Sequence, residues 1–134
     1  MKIVLMADNR KNELLVNFCI AYKTLLMKHQ LISVYNTAKY LKAAVDIEVS
    51  GLSVDYSSGV EQLARRAQFN EIDCVIYLRD GRGEQQLKDA SELLNVCDYN
   101  NIPYATNLAT AETLILAIDR GDFDWRLWLK ESVV

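Results

Sequence analysis

The sequence predicts a doubly wound α/β fold, a five-stranded parallel sheet with helices on both faces, built as one domain over residues 1–134. Three observations predict it. Short apolar runs alternate with helical patterns five times, and the βαβ handedness rule leaves few topologies for such a chain. The run Ile72-Asp73-Cys74-Val75-Ile76-Tyr77-Leu78-Arg79-Asp80 is almost continuously apolar between two helical patterns, as befits a central parallel strand covered on both sides. The chain of 134 residues is long enough for one sizeable core and short for two.

The elements follow in order. Ile3 to Met6 is a buried-strand run that ends at the turn-forming Ala7-Asp8-Asn9. From Lys11 to Lys28, Leu14, Leu15, Phe18, Cys19, Tyr22, Leu25 and Leu26 recur at three and four, the stripe of one amphipathic helix. The lone histidine, His29, falls at that helix's C-terminal end and is expected at the surface. A second strand over Leu31 to Tyr35 leads through Asn36-Thr37 into a helix carrying Tyr40, Leu41 and Ala44. Ile47 to Val49 is a weak third strand, and Gly51 to Gly59 a polar loop. Ser58 and Glu61 have the spacing of a capping box, opening a helix with Leu63, Ala64 and Ala67 inside.

After the central strand, Glu84 to Asn100 repeats the helical pattern through Leu87, Ala90, Leu93, Leu94 and Cys97. Pro103 to Thr106 is a last short strand. Asn107 and Thr110 are candidate caps for the helix through Ile118, and Gly121 suits its C-terminal stop. The tail from Phe123 to Leu129 holds both tryptophans, a docked segment or a subunit contact.

Composition narrows function. A net charge of −3 and the absence of a basic stripe argue against nucleic acid. Cys19, Cys74 and Cys97 sit inside apolar patterns without CxxC spacing, as reduced core thiols of a cytoplasmic protein do. No charged n-region, apolar h-region or membrane-length stretch is present, so neither secretion nor membrane insertion is expected. With one histidine, Ser/His, Cys/His and His-rich metal sites all lack their central member, and no cofactor or metal is expected.

In open α/β sheets, ligands bind beyond the carboxyl ends of the strands. Asp8, Lys11, Thr37, Ser53, Asp80, Asp89 and Asn107 fall there or at the helix starts that follow. Hydroxyls and a lysine at a helix N-terminus suit a phosphate or carboxylate, although the same residue types also cap helices and make turns. Glu61 reads first as the capping-box glutamate and second as a base. Gly81 and Gly83 form no phosphate-binding fingerprint.

The block Asn101-Ile102-Pro103-Tyr104-Ala105-Thr106-Asn107-Leu108-Ala109-Thr110-Ala111, followed by Asp119-Arg120-Gly121-Asp122-Phe123-Asp124-Trp125-Arg126, resembles the methylglyoxal synthase family. So do Lys2 to Asp8 with Lys11, and Asn17 to Lys23, so the likeness spans nearly the whole chain. The resemblance implies a parallel α/β domain, usually a homohexamer, that turns dihydroxyacetone phosphate into methylglyoxal and phosphate without a metal. A carboxylate base, a histidine and a phosphate pocket carry that chemistry.

Matched position by position, Asp8 and Lys11 keep the family's first-strand aspartate and phosphate lysine, while Ala7 replaces a histidine. Thr37 alone is retained from a threonine- and glycine-rich phosphate loop. Ser53 fits the serine of a Ser-Gly-Pro loop, with Val54 next. The segment that carries the catalytic aspartate reads Ser58-Gly59-Val60-Glu61-Gln62, so Val60 stands where the base belongs. Asp80 and Asp89 match family aspartates, and the catalytic histidine's position falls near Gln86.

The resemblance therefore implies a family member whose framework is kept while its proton-transfer residues are replaced. The expected role is binding a small phosphorylated metabolite or anion, in regulation or assembly, as a homohexamer or in hetero-oligomers with an active paralogue. The alternative is a working synthase with Asp55 or Glu61 as its base.

Overall fold

The computed structural model describes residues 1–82 and 87–132. Strand β1 (Lys2–Ala7) is followed by a 3-10 turn (Asn9–Lys11), α1 (Asn12–Ala21), α2 (Lys23–Leu26), β2 (Gln30–Val34) and α3 (Tyr35–Val45). Then come β3 (Ser50–Leu52), α4 (Tyr56–Gln68), β4 (Cys74–Leu78), α5 (Leu87–Tyr99), β5 (Tyr104–Ala105), α6 (Leu108–Asp119) and α7 (Asp124–Ser132). The five strands form one sheet in the order β3-β2-β1-β4-β5, and every pair is parallel. The predicted fold class is the one found.

The sheet is buried on both sides because its strands alternate between two cores. Ile3, Leu5, Cys74 and Ile76 face Leu15, Phe18, Leu41 and Ile115 of α1, α3 and α6. Val4, Met6, Val75 and Tyr77 face Val60, Leu63, Leu93 and Cys97 of α4 and α5. Ile3 pairs with Cys74 and Ala7 with Leu78, so β1 and β4 end together at the carboxyl edge.

Local structure departs from the sequence reading at several places, each for a tertiary reason. The helix expected from Lys11 to Lys28 breaks at Tyr22, whose φ of −112° and ψ of 20° leave the helical region. Its hydroxyl donates to Glu112 of α6 at 2.9 Å. The third strand is Ser50–Leu52 rather than Ile47 to Val49, because Asp46 ends α3 in the left-handed region and Ile47 plugs the core. Gly51 lies there because a Cβ would sit 3.1 Å from the Tyr35 Cα.

Helix α3 starts directly after β2, which sets its inner face at Ala38, Leu41 and Val45 and leaves Tyr40 and Ala44 exposed. The expected Gly51 to Gly59 loop is thus largely strand and helix. The cap of α4 is Asp55, not a Ser58–Glu61 box: the Asp55 carboxylate accepts the Ser58 backbone N–H at 3.0 Å and its hydroxyl at 2.9 Å. Asn107 caps α6 as expected, accepting the Thr110 N–H at 3.0 Å, and Gly121 takes a φ of +84° after that helix. The described residues hold seven α-helices where the sequence suggested five. His29 is half-buried, not fully at the surface.

All three cysteines are free and buried, and burial pushes each thiol up to about 12. Since the thiolate is the reactive form, iodoacetamide at neutral pH is expected to leave the native protein unlabelled and to label all three positions in denaturant. Mass spectrometry before and after unfolding checks this, and a native adduct would contradict it.

Candidate functional site

The strand order puts the topological switch between β1 and β4, because the chain leaves β1 toward β2 and returns on the other side to form β4. Asp8 follows β1 at this point. Its N–H donates to the Leu78 carbonyl at 2.9 Å, which clips it to the end of β4. One carboxylate oxygen accepts the Tyr77 hydroxyl, and the other accepts the Asp80 N–H at 2.7 Å. Asp8 is 5% exposed, so these two donors hold it as the floor of the crevice.

The other predicted residues gather around this floor to different degrees. Asp80 turns one oxygen to the Arg82 N–H at 3.1 Å and the other to Arg10 Nε at 3.7 Å. Lys11 is half-buried in the 3-10 turn, where its N–H donates to the Asp8 carbonyl at 2.7 Å. The Arg79 N–H donates to the Thr106 carbonyl at 3.1 Å, bringing the end of β5 and Asn107 to the same edge. Asn107 spends its side-chain oxygen on the α6 cap. Thr37 is half-buried in the first turn of α3, and Ser53 between β3 and α4.

Helix α3 has no side-chain cap, unlike α4 and α6. Its first-turn amides and the positive end of its dipole are therefore open to an anion, with Thr37 among them. The candidate bases are placed differently. Val60 is buried against the α4 face of the sheet, and Glu61 is exposed on that helix. Successive helical positions turn about 100° apart, so the longer side chain points away from the crevice. Asp55 is committed to the cap, whose Ser58 N–H and hydroxyl hold its carboxyl below the usual range. Asp89 belongs to α5, but its side chain and Gln86 lie outside the described residues.

Sequence reasoning missed Tyr77 and Tyr56. Burial first, then the Asp8 carboxylate and the Tyr56 hydroxyl, push the Tyr77 phenol well above its ordinary value. Tyr56 comes from the first turn of α4 and brings its buried hydroxyl toward Tyr77 on the same side of the sheet. The available signal was a tyrosine within a fully buried strand, since a buried phenol needs a partner. Among the described residues no three His, Cys, Asp or Glu side chains cluster to hold a metal. A cleft of about 650 Å³ opens at the opposite, amino edge beside Lys2, His29 and Lys130. The strand-end chemistry, not cleft size, places the candidate site at Asp8.

A parallel α/β domain with a hydrogen-bonded aspartate at its switch point and an uncapped helix start nearby has a candidate small-molecule site at the carboxyl edge of its sheet. The curated relatives narrow the class. The chain is 44% identical over 127 residues to the methylglyoxal synthase of Caldicellulosiruptor saccharolyticus, covering 94% of this chain and 90% of that protein. It is 38% identical over 132 residues to that of Alkaliphilus metalliredigens, covering 98% of both. The crystal structure of methylglyoxal synthase from Elizabethkingia anophelis NUHP1 superposes with a TM-score of 0.75 at 25% identity, over 85% of this chain and 76% of that one. No family model matches the chain. On the relatives' identity and coverage, this chain belongs to the methylglyoxal synthase family.

Proposed function

We propose that this member of the family binds a small phosphorylated metabolite or anion at the β1/β4 crevice without converting it. The observation that carries the reading is the buried Val60 at the position of the family's base, with no carboxylate taking its place. Glu61 is exposed and Asp55 caps α4. Asp8, Lys11, Thr37 and Ser53 remain to receive the ligand, the phosphate lying toward the uncapped start of α3. A positioned general base contributes ~10²–10⁴ in rate, so its loss is enough to silence proton abstraction. Self-assembly and cytoplasmic residence belong to the same proposal and rest on the family resemblance, which also leaves room for a mixed oligomer with an active paralogue.

The second reading is an active synthase, favoured by the 44% identity to a protein of that name. Purified protein incubated with dihydroxyacetone phosphate in deuterated buffer separates the two, with methylglyoxal, released phosphate and carbon-bound deuterium followed together. None is expected above the uncatalysed rate, while the ligand still protects the fold against heat. Turnover that Asp8→Asn or Glu61→Gln abolishes would establish the second reading. Deuterium uptake without elimination would reveal a surviving base and refute the proposed loss of proton abstraction.

A further inference from the structure

Arg79 is a half-buried cation that the crevice leaves unused. It follows β4 directly, and its N–H, donating to the Thr106 carbonyl at 3.1 Å, carries the pairing with the β5 side one residue further. Side chains alternate along a strand, so Arg79 falls on the face of Val75 and Tyr77, which α4 and α5 cover. The next residue, Asp80, turns instead to Arg10 in the crevice. On the α5 face Arg79 lines a pocket of about 370 Å³ together with Ala90, Leu94, Asn95, Asp98 and Tyr104. Among the described residues its guanidinium has no hydrogen-bond or ion-pair partner. Asp98, the carboxylate in the lining, accepts the Tyr104 hydroxyl at 3.2 Å instead.

We infer that this pocket is a binding site for a small organic monocarboxylate, separate from the β1/β4 crevice. A guanidinium drawn partly out of water without an anion is unfavourable. A ligand carboxylate supplies the missing partner through two parallel N–H···O bonds, which the planar fork of an arginine makes and a lysine does not. The charge of the walls selects a monoanion. One cation, Arg79, is accompanied by one carboxylate, Asp98, so a phosphate dianion would add a second negative charge against Asp98 where a carboxylate adds one. The remaining walls suit an organic body, because Ala90, Leu94 and the Tyr104 ring are apolar and the Asn95 amide offers a further hydrogen bond. At ~30 Å³ per water-sized group, the space holds a ligand of roughly ten non-hydrogen atoms. This goes beyond the proposed binding in the crevice and does not depend on it.

Benzoate, a flat monocarboxylate of this size, is the probe, with benzamide as its uncharged counterpart. In calorimetry at neutral pH, benzoate is expected to bind saturably and benzamide not at all. In amide NMR spectra benzoate is expected to shift the signals of Arg79, Leu94, Asn95 and Tyr104. Arg79→Gln is expected to weaken benzoate binding about ten- to a hundredfold, the worth of hydrogen bonds to a charged group. Arg79→Lys, which keeps the charge and loses the fork, should recover only part of it, and Arg10→Gln at the crevice should change nothing. Asp98→Asn is expected to tighten benzoate binding and to let inorganic phosphate bind where the wild type excludes it. Absence of saturable benzoate binding, equal binding of benzamide, or an Arg79→Gln protein that binds as the wild type does overturns the inference. So does inorganic phosphate that shifts these four amides of the wild type at lower concentration than benzoate. Should Arg79→Gln fail to fold, the wild type decides: benzoate shifts confined to Asp8, Thr37 and Ser53 would place the anion in the crevice and refute the separate pocket.

Discussion

Arg126→Ala is expected to lower the unfolding free energy by about 3–5 kcal/mol, and the Tm by roughly 10–15 °C. The side chain enters beneath the amino edge of the sheet and donates to four oxygens: the carbonyls of Asn100, Asn101 and Ile72, and the Asn70 side chain. Asn70 and Asn101 both have positive φ, and the carbonyls at or near these turns, those of Asn100, Asn101 and Ile72, accept from the guanidinium. Truncation strands those acceptors in a part-buried place, where an unmet hydrogen bond costs about 1–3 kcal/mol.

Arg126→Lys tests the geometry. It keeps the charge but places three donors on one atom, and the planar fork that spans both turns is lost, so most of the destabilisation is expected to persist. Lys130→Ala is expected to cost less, about 1–3 kcal/mol, because the buried Asp73 carboxylate loses one partner and still accepts the Lys2 N–H at 2.8 Å. Thermal and urea unfolding measure all three. An Arg126→Ala protein that melts within a few degrees of the wild type would show that α7 is held by something other than this hub.

The second large effect lies at the crevice floor. Asp8→Ala is expected to cost about 2–4 kcal/mol, since it leaves both the Tyr77 hydroxyl and the Asp80 N–H without an acceptor. Tyr77→Phe is expected to cost less, about 1–2 kcal/mol, because Asp8 retains the Asp80 N–H. Once Asp8 is gone, the tyrosine hydroxyl is a liability, so the double variant should be more stable than the sum predicts, with a coupling of about 1–2 kcal/mol. Additive losses would mean that the two groups do not meet.

The pair also sets an alkaline limit. A raised folded-state value means that Tyr77 contributes stability in full below the ordinary phenol value of about 10. As the pH climbs above it, the unfolded tyrosine ionises and that stability drains away. Tyr77→Phe is therefore expected to flatten the alkaline limb of the stability curve. A curve as steep as the wild type's above that value would refute the linkage.

What the sequence determined by itself were features written in nearby residues. Alternation of apolar runs with helical stripes specified five parallel strands, and strand-to-helix boundaries alone brought Asp8, Asp80 and Asn107 to one edge. Asn107 is a cap because Thr110 follows at the right spacing, and Gly121 is a stop because only its own backbone freedom is at issue. Val60 at the position that the resemblance gives to the family's base was legible for the same reason, as a matter of identity at a matched position.

Tertiary structure alone decided the rest, wherever a residue's role depends on a partner far along the chain. Tyr77 reads as one more apolar strand residue until Asp8, 69 positions away, supplies an acceptor. The tail with its tryptophans reads as a docked segment or a subunit contact, and within the single chain it is Arg126 that goes inside while the indoles stay out. The carbonyls left open by the Asn70 and Asn101 turns call for a charged, forked donor more strongly than the core, already filled by the two faces of the sheet, calls for another ring. Periodicity records how apolar a face is. Which face turns inward depends on the unmet hydrogen bonds it finds there, and those exist only once the chain has folded.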